Sequence, residues 1–362
     1  MNVIGRGEPQ AHLSMAELPT PAGWFAVALS RDLPAGRVIP ARVGGQDLVA
    51  WRDERGTART ASAWCPHLGA HLGYQGRVSG ESLVCGFHGF AFGADGSCLA
   101  TGYGGRVPPR ARLSMWPAAE VDGAVLAYHD PARQPPSSPV PPADLAGWTA
   151  IRWRTFTFIG HPLEITENIV DVGHLSFVHG YSAVRELGAA SAEGPVLTAR
   201  YAMTRTGRIY GVPVPAMRST FLATAYGLGF SRVELTVHTL GAQARLWVLP
   251  TPLGDGTVRL RIGASVRKAL GAGAPVALRW LPAQLTAAVA RDFALLGLAN
   301  DVAQDRRVWR TKHHLPRPAI AEGDGPIGTY RHWARQFLPE TETTAAPRTD
   351  LRAQRGNAPA VT

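Results

Sequence analysis

The chain has 362 residues, 45% of them hydrophobic, which is more than one ordinary core requires, so two domains are expected, each burying its own interior. The net charge of +10 comes from scattered arginines, with Lys268 and Lys312 the only lysines, and without a basic block it gives no case for nucleic-acid binding. Met1 to Thr20 has no apolar signal region, and the apolar stretch 277–300 is interrupted by Arg279, Arg291 and Asp292. No membrane span is therefore expected, and the cytoplasm is the expected compartment.

Between Trp24 and Tyr128, short runs such as Gly23 to Leu29, Leu48 to Trp51 and Ala124 to Tyr128 alternate with Gly, Pro and Asp turns, which predicts a small all-β domain over residues 17–129. Inside it, Cys65-Pro-His67 and Cys85-Gly-Phe-His88 form two loops, each offering one thiolate and one imidazole. That set suits a Rieske [2Fe–2S] centre, where two cysteines hold one iron and two histidines the other, and where neutral imidazole raises the reduction potential. A structural zinc site is the alternative, but zinc modules usually present a cysteine pair and then a histidine pair. Gly69, Gly86 and Gly89 are expected to bring backbone N–H groups close to the cluster sulfides. The remaining thiol, Cys98, and the neighbouring His71 fall outside the two-plus-two pattern and read as a bystander and a surface histidine.

Residues 130–142, DPARQPPSSPVPP, can join neither a helix interior nor a central strand, and predict a stiff linker to a second domain over residues 143–339. There, Pro162 to His179 predicts a helix, and Leu197 to Tyr210, Ser219 to Leu240 and Ala244 to Arg267 predict long antiparallel strands with a hairpin at Gly254-Asp-Gly256. Val276 to Gln304 returns to a helical period, and the polar end, residues 340–362, predicts a disordered tail. The second domain is thus α+β, with Phe221, Leu222, Tyr226, Leu228, Phe230, Trp247 and Leu249 as candidates to line an apolar pocket.

The segment from Glu167 to His179 places Asn168, Asp171 and His174 at steps of three, on one stripe of a helix. His179 lies about 140° round from His174 on an ideal helix. Both imidazoles can meet one metal only if the helix ends or distorts, for which Gly173 and Gly180 provide the means. Two histidines and one carboxylate make the facial triad of a mononuclear non-haem Fe(II) site. The carboxylate candidates are Asp301 and Asp305, one helical turn apart, while Asp171 is placed to hydrogen-bond the outer nitrogen of His174.

Trp64-Cys-Pro-His-Leu-Gly-Ala70 with Cys85-Gly-Phe-His-Gly89, followed by N-x-x-D-x-x-H-x-x-x-x-H, resembles the oxygenase (alpha) component of Rieske non-haem iron oxygenases. Gln304-Asp-Arg-Arg-Val-Trp309, Lys312 and Tyr330-Arg-His-Trp-Ala-Arg-Gln-Phe337 place the resemblance nearest the branch of ketosteroid 9α-hydroxylases and cholesterol 7-desaturases, from about Trp24 to Leu338. It implies a helix-grip, START-like second domain, Asp305 as the last iron ligand, and Asn168 and Asp171 as catalytic residues. It further implies a head-to-tail homotrimer in which Asp171 reaches His88 of the neighbouring subunit. Dioxygen would be the co-substrate, with electrons from NAD(P)H through a separate flavin-containing reductase, directly or through a ferredoxin. The implied reaction is hydroxylation, desaturation or demethylation, and the few charges in the sheet favour a bulky apolar substrate such as a sterol, steroid or polycyclic natural product. Competing readings are an aromatic O-demethylase or ring hydroxylase, and a Rieske electron carrier fused to a ligand-binding module.

Overall fold

Glycine and proline turns cut the first part of the chain into strands too short to stand alone, and they collect into three small antiparallel sheets. The computed structural model describes residues 12–209, 211–268 and 282–339. One sheet orders Gly23–Leu29, Ala124–His129 and Ala118–Val121; a second orders Val38–Val43, Gln46–Arg52, Ala58–Ser62 and Met115–Trp116. The third runs Gly76–Ser79, Ser82–Cys85, Ala91–Phe92 and Cys98–Ala100, so that Cys85 ends a strand. Residues 130–142 carry no helix or strand, yet they are tied down: Val140 is buried and Trp24 Nε1 donates to the Ser138 carbonyl at 3.0 Å.

The second part is built on an eight-stranded antiparallel sheet. Its order is Arg152–Ile159, Thr257–Val266, Ala242–Pro252, Ser231–Val237, Val212–Tyr226, Val196–Ile209 and Ser182–Glu186, with Ser191–Glu193 also pairing along Val196–Ile209. The hairpin at residues 254–256 is present, whereas the single strand expected over Ser219 to Leu240 is two. The division falls where Gly227 adopts φ +67° and Tyr226 N–H donates to the Phe230 carbonyl at 2.8 Å. A Cβ at Gly229 would run into the Trp24 carbonyl, so this turn is where the two parts press together.

A long helix, Ala283–Trp309, packs its stripe Leu295, Ala299, Val302 and Trp309 against Phe158, Val258, Leu260 and Ile262 of the sheet. It runs further than the Gln304 end expected from the sequence, and the expected start, 276–281, lies outside the described residues, as does the tail 340–362. Among the described residues no helix is long and apolar enough to cross a membrane.

The two parts do not bury separate cores at their junction. Trp24, Ala26, Leu126 and Val140 share one cluster with Trp153, Phe230, Trp247 and Leu249 of the large sheet. A β-bulge at Val27 interrupts the ladder between Gly23–Leu29 and Ala124–His129. The buried Arg261, reaching from the sheet, donates to the carbonyls of Ala26 and Val27, and Thr251 Oγ1 also donates to Ala26 at 2.8 Å. Burial lowers the Arg261 pKa to about 10, with Arg259 adding to the effect. Arg261→Leu leaves Ala26 its bond from Thr251 but strands the Val27 carbonyl, at a cost of about 1–3 kcal/mol. Calorimetry should show a melting temperature a few degrees lower; an unchanged transition would count against this clamp.

Candidate functional site

Cys65 and Cys85 are held by the same hydrogen-bonded turn. In each, the cysteine N–H donates to the carbonyl five residues on, Ala70 at 2.9 Å and Phe90 at 2.8 Å, while Gly69 and Gly89 donate back to the cysteine carbonyls at 2.9 Å. Both glycines sit at positive φ, +74° and +69°, where a side chain would be strained. Gly86 N–H goes to the Gln75 carbonyl. The N–H groups of these three glycines thus close the loops, and any backbone donors to cluster sulfides would come from their neighbours.

The thiols are buried, and the imidazoles of His67 and His88 stand at the tip with ring centroids 4.8 Å apart and His67 stacked on Phe90 at 4.3 Å. His88 Nδ1 is buried with no hydrogen-bond partner among the described residues, the state of a donor atom that serves a metal. Burial pushes the Cys65 thiol up to about 11, so metal ligation rather than its surroundings would make it a thiolate. The four residues fit a two-iron cluster better than one zinc. A tetrahedral zinc would gather all four donor atoms around one point, yet among the described residues the one set of three or more within 4.8 Å lies elsewhere. Cys98 donates to the Ala100 carbonyl at 3.3 Å, and the half-buried His71 caps Leu72–Gln75 by accepting from Gly73 N–H.

That other set is His174, His179 and Asp305. The helix expected over Pro162 to His179 is broken into Pro162–Glu167 and Val172–Phe177, so Asn168, Asp171 and His174 do not lie on one straight stripe. Asp171 makes the break by capping the second helix, its Oδ1 accepting from His174 N–H at 3.0 Å. Since the carboxylate is a cap, the outer nitrogen of His174, Nδ1, donates instead to the Asp171 carbonyl oxygen at 2.6 Å, leaving Nε2 bare. The second helix ends at Phe177, and Gly180 at φ +69° turns the chain, bringing the His179 ring centroid to 5.0 Å from that of His174. Gly173 stays helical and is not the point of distortion.

His179 Nδ1 donates to Gln304 Oε1 at 2.7 Å, which aims Nε2 at Asp305 Oδ1, 3.3 Å away. Asp305 arrives on the buried stripe of the long helix, and Asn168 contacts its carboxyl group. Burial pushes Asp305 up to about 6 against the pull of both histidines, as expected of a carboxylate in a dry site prepared for a cation. Burial also opposes charge on His174, but Asp171 and Asp305 together hold its pKa above the ordinary value. Asp301 is otherwise engaged: Arg205 NH2 lies 2.6 Å from its Oδ1, and Tyr181 donates to its Oδ2 at 2.8 Å.

Beneath the break, the buried Glu164 and Glu167 meet Lys312 Nζ at 2.6 and 3.2 Å. His314 Nδ1 lies 2.6 Å from Glu164, and Arg331 pairs with Glu167 through Nε and NH2. Burial would raise the Glu164 carboxyl, but His314 and Lys312 hold it down to about 2. Sequence reasoning missed this cluster, Gln304, and the Arg205–Tyr181–Asp301 group. Their partners are far apart in the chain, and only the adjacency of Gln304 to Asp305 offered a signal.

His174, His179 and Asp305 stand at one end of a cavity of about 670 Å³ lined by alternate strand residues, among them Ser219, Phe221, Ala223, Val233 and Leu235. Of the expected lining residues only Phe221 takes part. Tyr226, Phe230, Trp247 and Leu249 pack in or against the inter-domain cluster, Leu228 packs in another core, and Leu222 does not line the cavity.

Residues 23–109 match the Rieske [2Fe-2S] domain family, and residues 127–338 match the 3-ketosteroid 9alpha-hydroxylase C-terminal domain family. A 3-ketosteroid-9-alpha-monooxygenase oxygenase component of Rhodococcus rhodochrous is 30% identical over 340 residues, covering 88% of this chain and 82% of the relative. The cholesterol 7-desaturase of Bombyx mori is 29% identical over 323 residues, covering 89% and 70%. In fold the chain is similar to dicamba monooxygenase, with a TM-score of 0.63 at 16% identity, covering 87% of this chain and 96% of that one. It is likewise similar to Pseudomonas putida CBB5 NdmB, with a TM-score of 0.65 at 18% identity, covering 86% and 89%.

Asp305→Ala should remove the iron present in excess of labile sulfide while leaving the cluster absorbance intact, whereas Asp301→Ala should retain that iron. Gln304→Leu frees the His179 ring and should weaken mononuclear metal affinity by about 10–100-fold. Metal analysis of the three variants checks this, and equal loss from Asp301→Ala and Asp305→Ala would overturn the assignment.

Proposed function

Because the chain belongs to the Rieske oxygenases, in the branch of the 3-ketosteroid 9α-hydroxylase oxygenase components, we propose that it oxidises a bulky apolar substrate of the sterol or steroid class. The observation that carries this reading is the cavity of about 670 Å³, walled mainly by hydrocarbon side chains and ending at His174, His179 and Asp305. When bound, the cluster and the mononuclear iron supply single-electron relay and dioxygen activation. This chain's residues do the rest. Cys65, Cys85, His67 and His88 would hold the cluster; His174, His179 and Asp305 would hold the iron on one face; and the sheet and long helix exclude water from the substrate's reacting carbon. Electrons would come from NAD(P)H through a flavin-containing reductase, directly or through a ferredoxin, in the cytoplasm, where thiolate ligands stay reduced.

The same reading calls for a second copy of the chain. Trp64, Leu68, Phe87 and Tyr103 form an exposed apolar collar around the His67–His88 tip, and Phe177, on the helix that carries His174, is 93% exposed. Such patches suit an interface between copies. Docking the tip of one subunit against this helix in a head-to-tail trimer would bring the partner subunit's His88 to Asp171, making Asp171 a bridge between subunits.

Two measurements test these proposals. Supplied with dioxygen and a surrogate reductase, the loaded protein should consume oxygen and form oxidised product with 3-ketosteroids or sterols. Product from methoxyarenes alone would support an O-demethylase, and reduction without oxygen consumption on any substrate would support an electron carrier. Asp171→Asn should keep both metal sites filled yet slow single-turnover oxidation of the cluster severely. A wild-type rate in that variant, or an active monomer, would refute the bridge.

A further inference from the structure

We propose that Arg205, held by Asp301 and Tyr181, is the polar anchor of the substrate cavity, donating hydrogen bonds to a neutral carbonyl or hydroxyl oxygen at one end of an otherwise hydrocarbon substrate. This rests on the cavity being the substrate site. All three residues line it, in a wall that is otherwise largely hydrocarbon. Arg205 sits in strand Val196–Ile209 where the register with Val212–Tyr226 shifts, an irregularity of the kind that re-aims a side chain. Its guanidinium reaches Tyr181 Oη at 2.8 Å and the two Asp301 oxygens at 3.1 and 2.6 Å. Arginine carries five N–H donors. Nε and one hydrogen of NH2 have no protein acceptor among the described residues.

An ion pair kept in an apolar cavity costs desolvation and is a weak source of stability, and Asp301 stands outside the His174, His179 and Asp305 set. A few placed polar groups in an apolar pocket are what fix a ligand's orientation. The arginine charge is balanced by Asp301, so the anchor selects a neutral acceptor, since a substrate carboxylate would add an uncompensated charge.

Its place decides which end of the substrate it takes. The Tyr181 ring lies 5.8 Å from the His179 ring, and Asp301 is one helical turn before Asp305, so the anchor is at the metal end. Leu285, Val289 and Phe293 line the cavity about 18 to 30 Å along the long helix from Asp305, and all three are exposed to solvent. The oxygen-bearing end of the substrate therefore lies beside the metal and the hydrocarbon end at the mouth.

The test replaces the whole group by apolar residues of similar shape, Tyr181→Phe, Arg205→Met and Asp301→Leu together, which removes both charges at once and takes from the other described residues only the long 3.4 Å bond from Asn300 Nδ2 to Asp301. Equilibrium dialysis of the iron-loaded protein compares androst-4-en-3-one, which carries its single oxygen at one end, with the matching hydrocarbon, androst-4-ene. The variant should bind the ketone about ten- to a hundredfold more weakly, the worth of hydrogen bonds from a charged donor, and the hydrocarbon as well as before, with iron retained. Affinities that fall together, or a ketone affinity that does not change, would overturn the anchor. Should the triple variant lack cluster absorbance, Arg205→Lys decides, with about a tenfold loss for the ketone alone expected and no selective loss counting against. If wild-type protein binds neither steroid, the sterol reading of the cavity fails, and the same comparison between a methoxybenzaldehyde and the matching alkylbenzene decides the anchor.

Discussion

Two acids buried on one short helix, Glu164 and Glu167, determine where His174, His179 and Asp305 can converge. Their charges must be matched inside the protein, because an unpaired buried carboxylate is far costlier than a paired one. The matching cations come from later in the chain: Lys312, three residues after the long helix ends, and Arg331 on the helix Ile327–Ala334. The ion cluster thus binds the element that leads to His174 and His179 to the end of the element that brings Asp305. It adds to the His179–Gln304 and Tyr181–Asp301 hydrogen bonds that also join these segments, and such short, directional contacts tolerate sliding less readily than apolar packing does.

At its centre the large sheet is buried on both sides. Alternate residues of its central strands face the cavity, and the others, with Trp247 and Leu249 at the centre, face the first domain. A strand in that position cannot follow the apolar–polar alternation of a half-exposed sheet, which explains the unbroken apolar run Leu246-Trp-Val-Leu249. The cavity wall and the domain junction are opposite surfaces of the same strands, so a change of volume on one side is felt on the other.

Much of this was legible in the sequence because the chemistry is local. The two Cys/His loops and the His174–His179 pair each sit within a few residues, and the expected α+β class with a long antiparallel sheet is the one observed. What escaped were features made by distant partners. Nothing between Asn168 and Asp171 is a proline or glycine, so the helical pattern runs on through a break that Asp171 creates by capping. The strand expected over Ser219 to Leu240 divides because Trp24 presses on Gly229, two residues about two hundred positions apart. The pocket lining was misread for a related reason: when both faces of a sheet are apolar, periodicity says that residues alternate but not which set faces the ligand. Gln304 and Arg205 acquire meaning only once His179 and Asp301 are beside them.

The bulge at Val27 and the arginine that completes it bear on how such a protein can be inherited. A proline-dense linker looks like a natural crossover point, across which one first domain could be exchanged for another. Yet the carbonyls of Ala26 and Val27 are served by Arg261, deep in the other half, and Gly229 leaves room for the Trp24 carbonyl and the Phe25 ring. A chimera joined at residues 130–142 would inherit one side of each fit without the other. The unit that can be shuffled is therefore the entire two-part body, not either half of it.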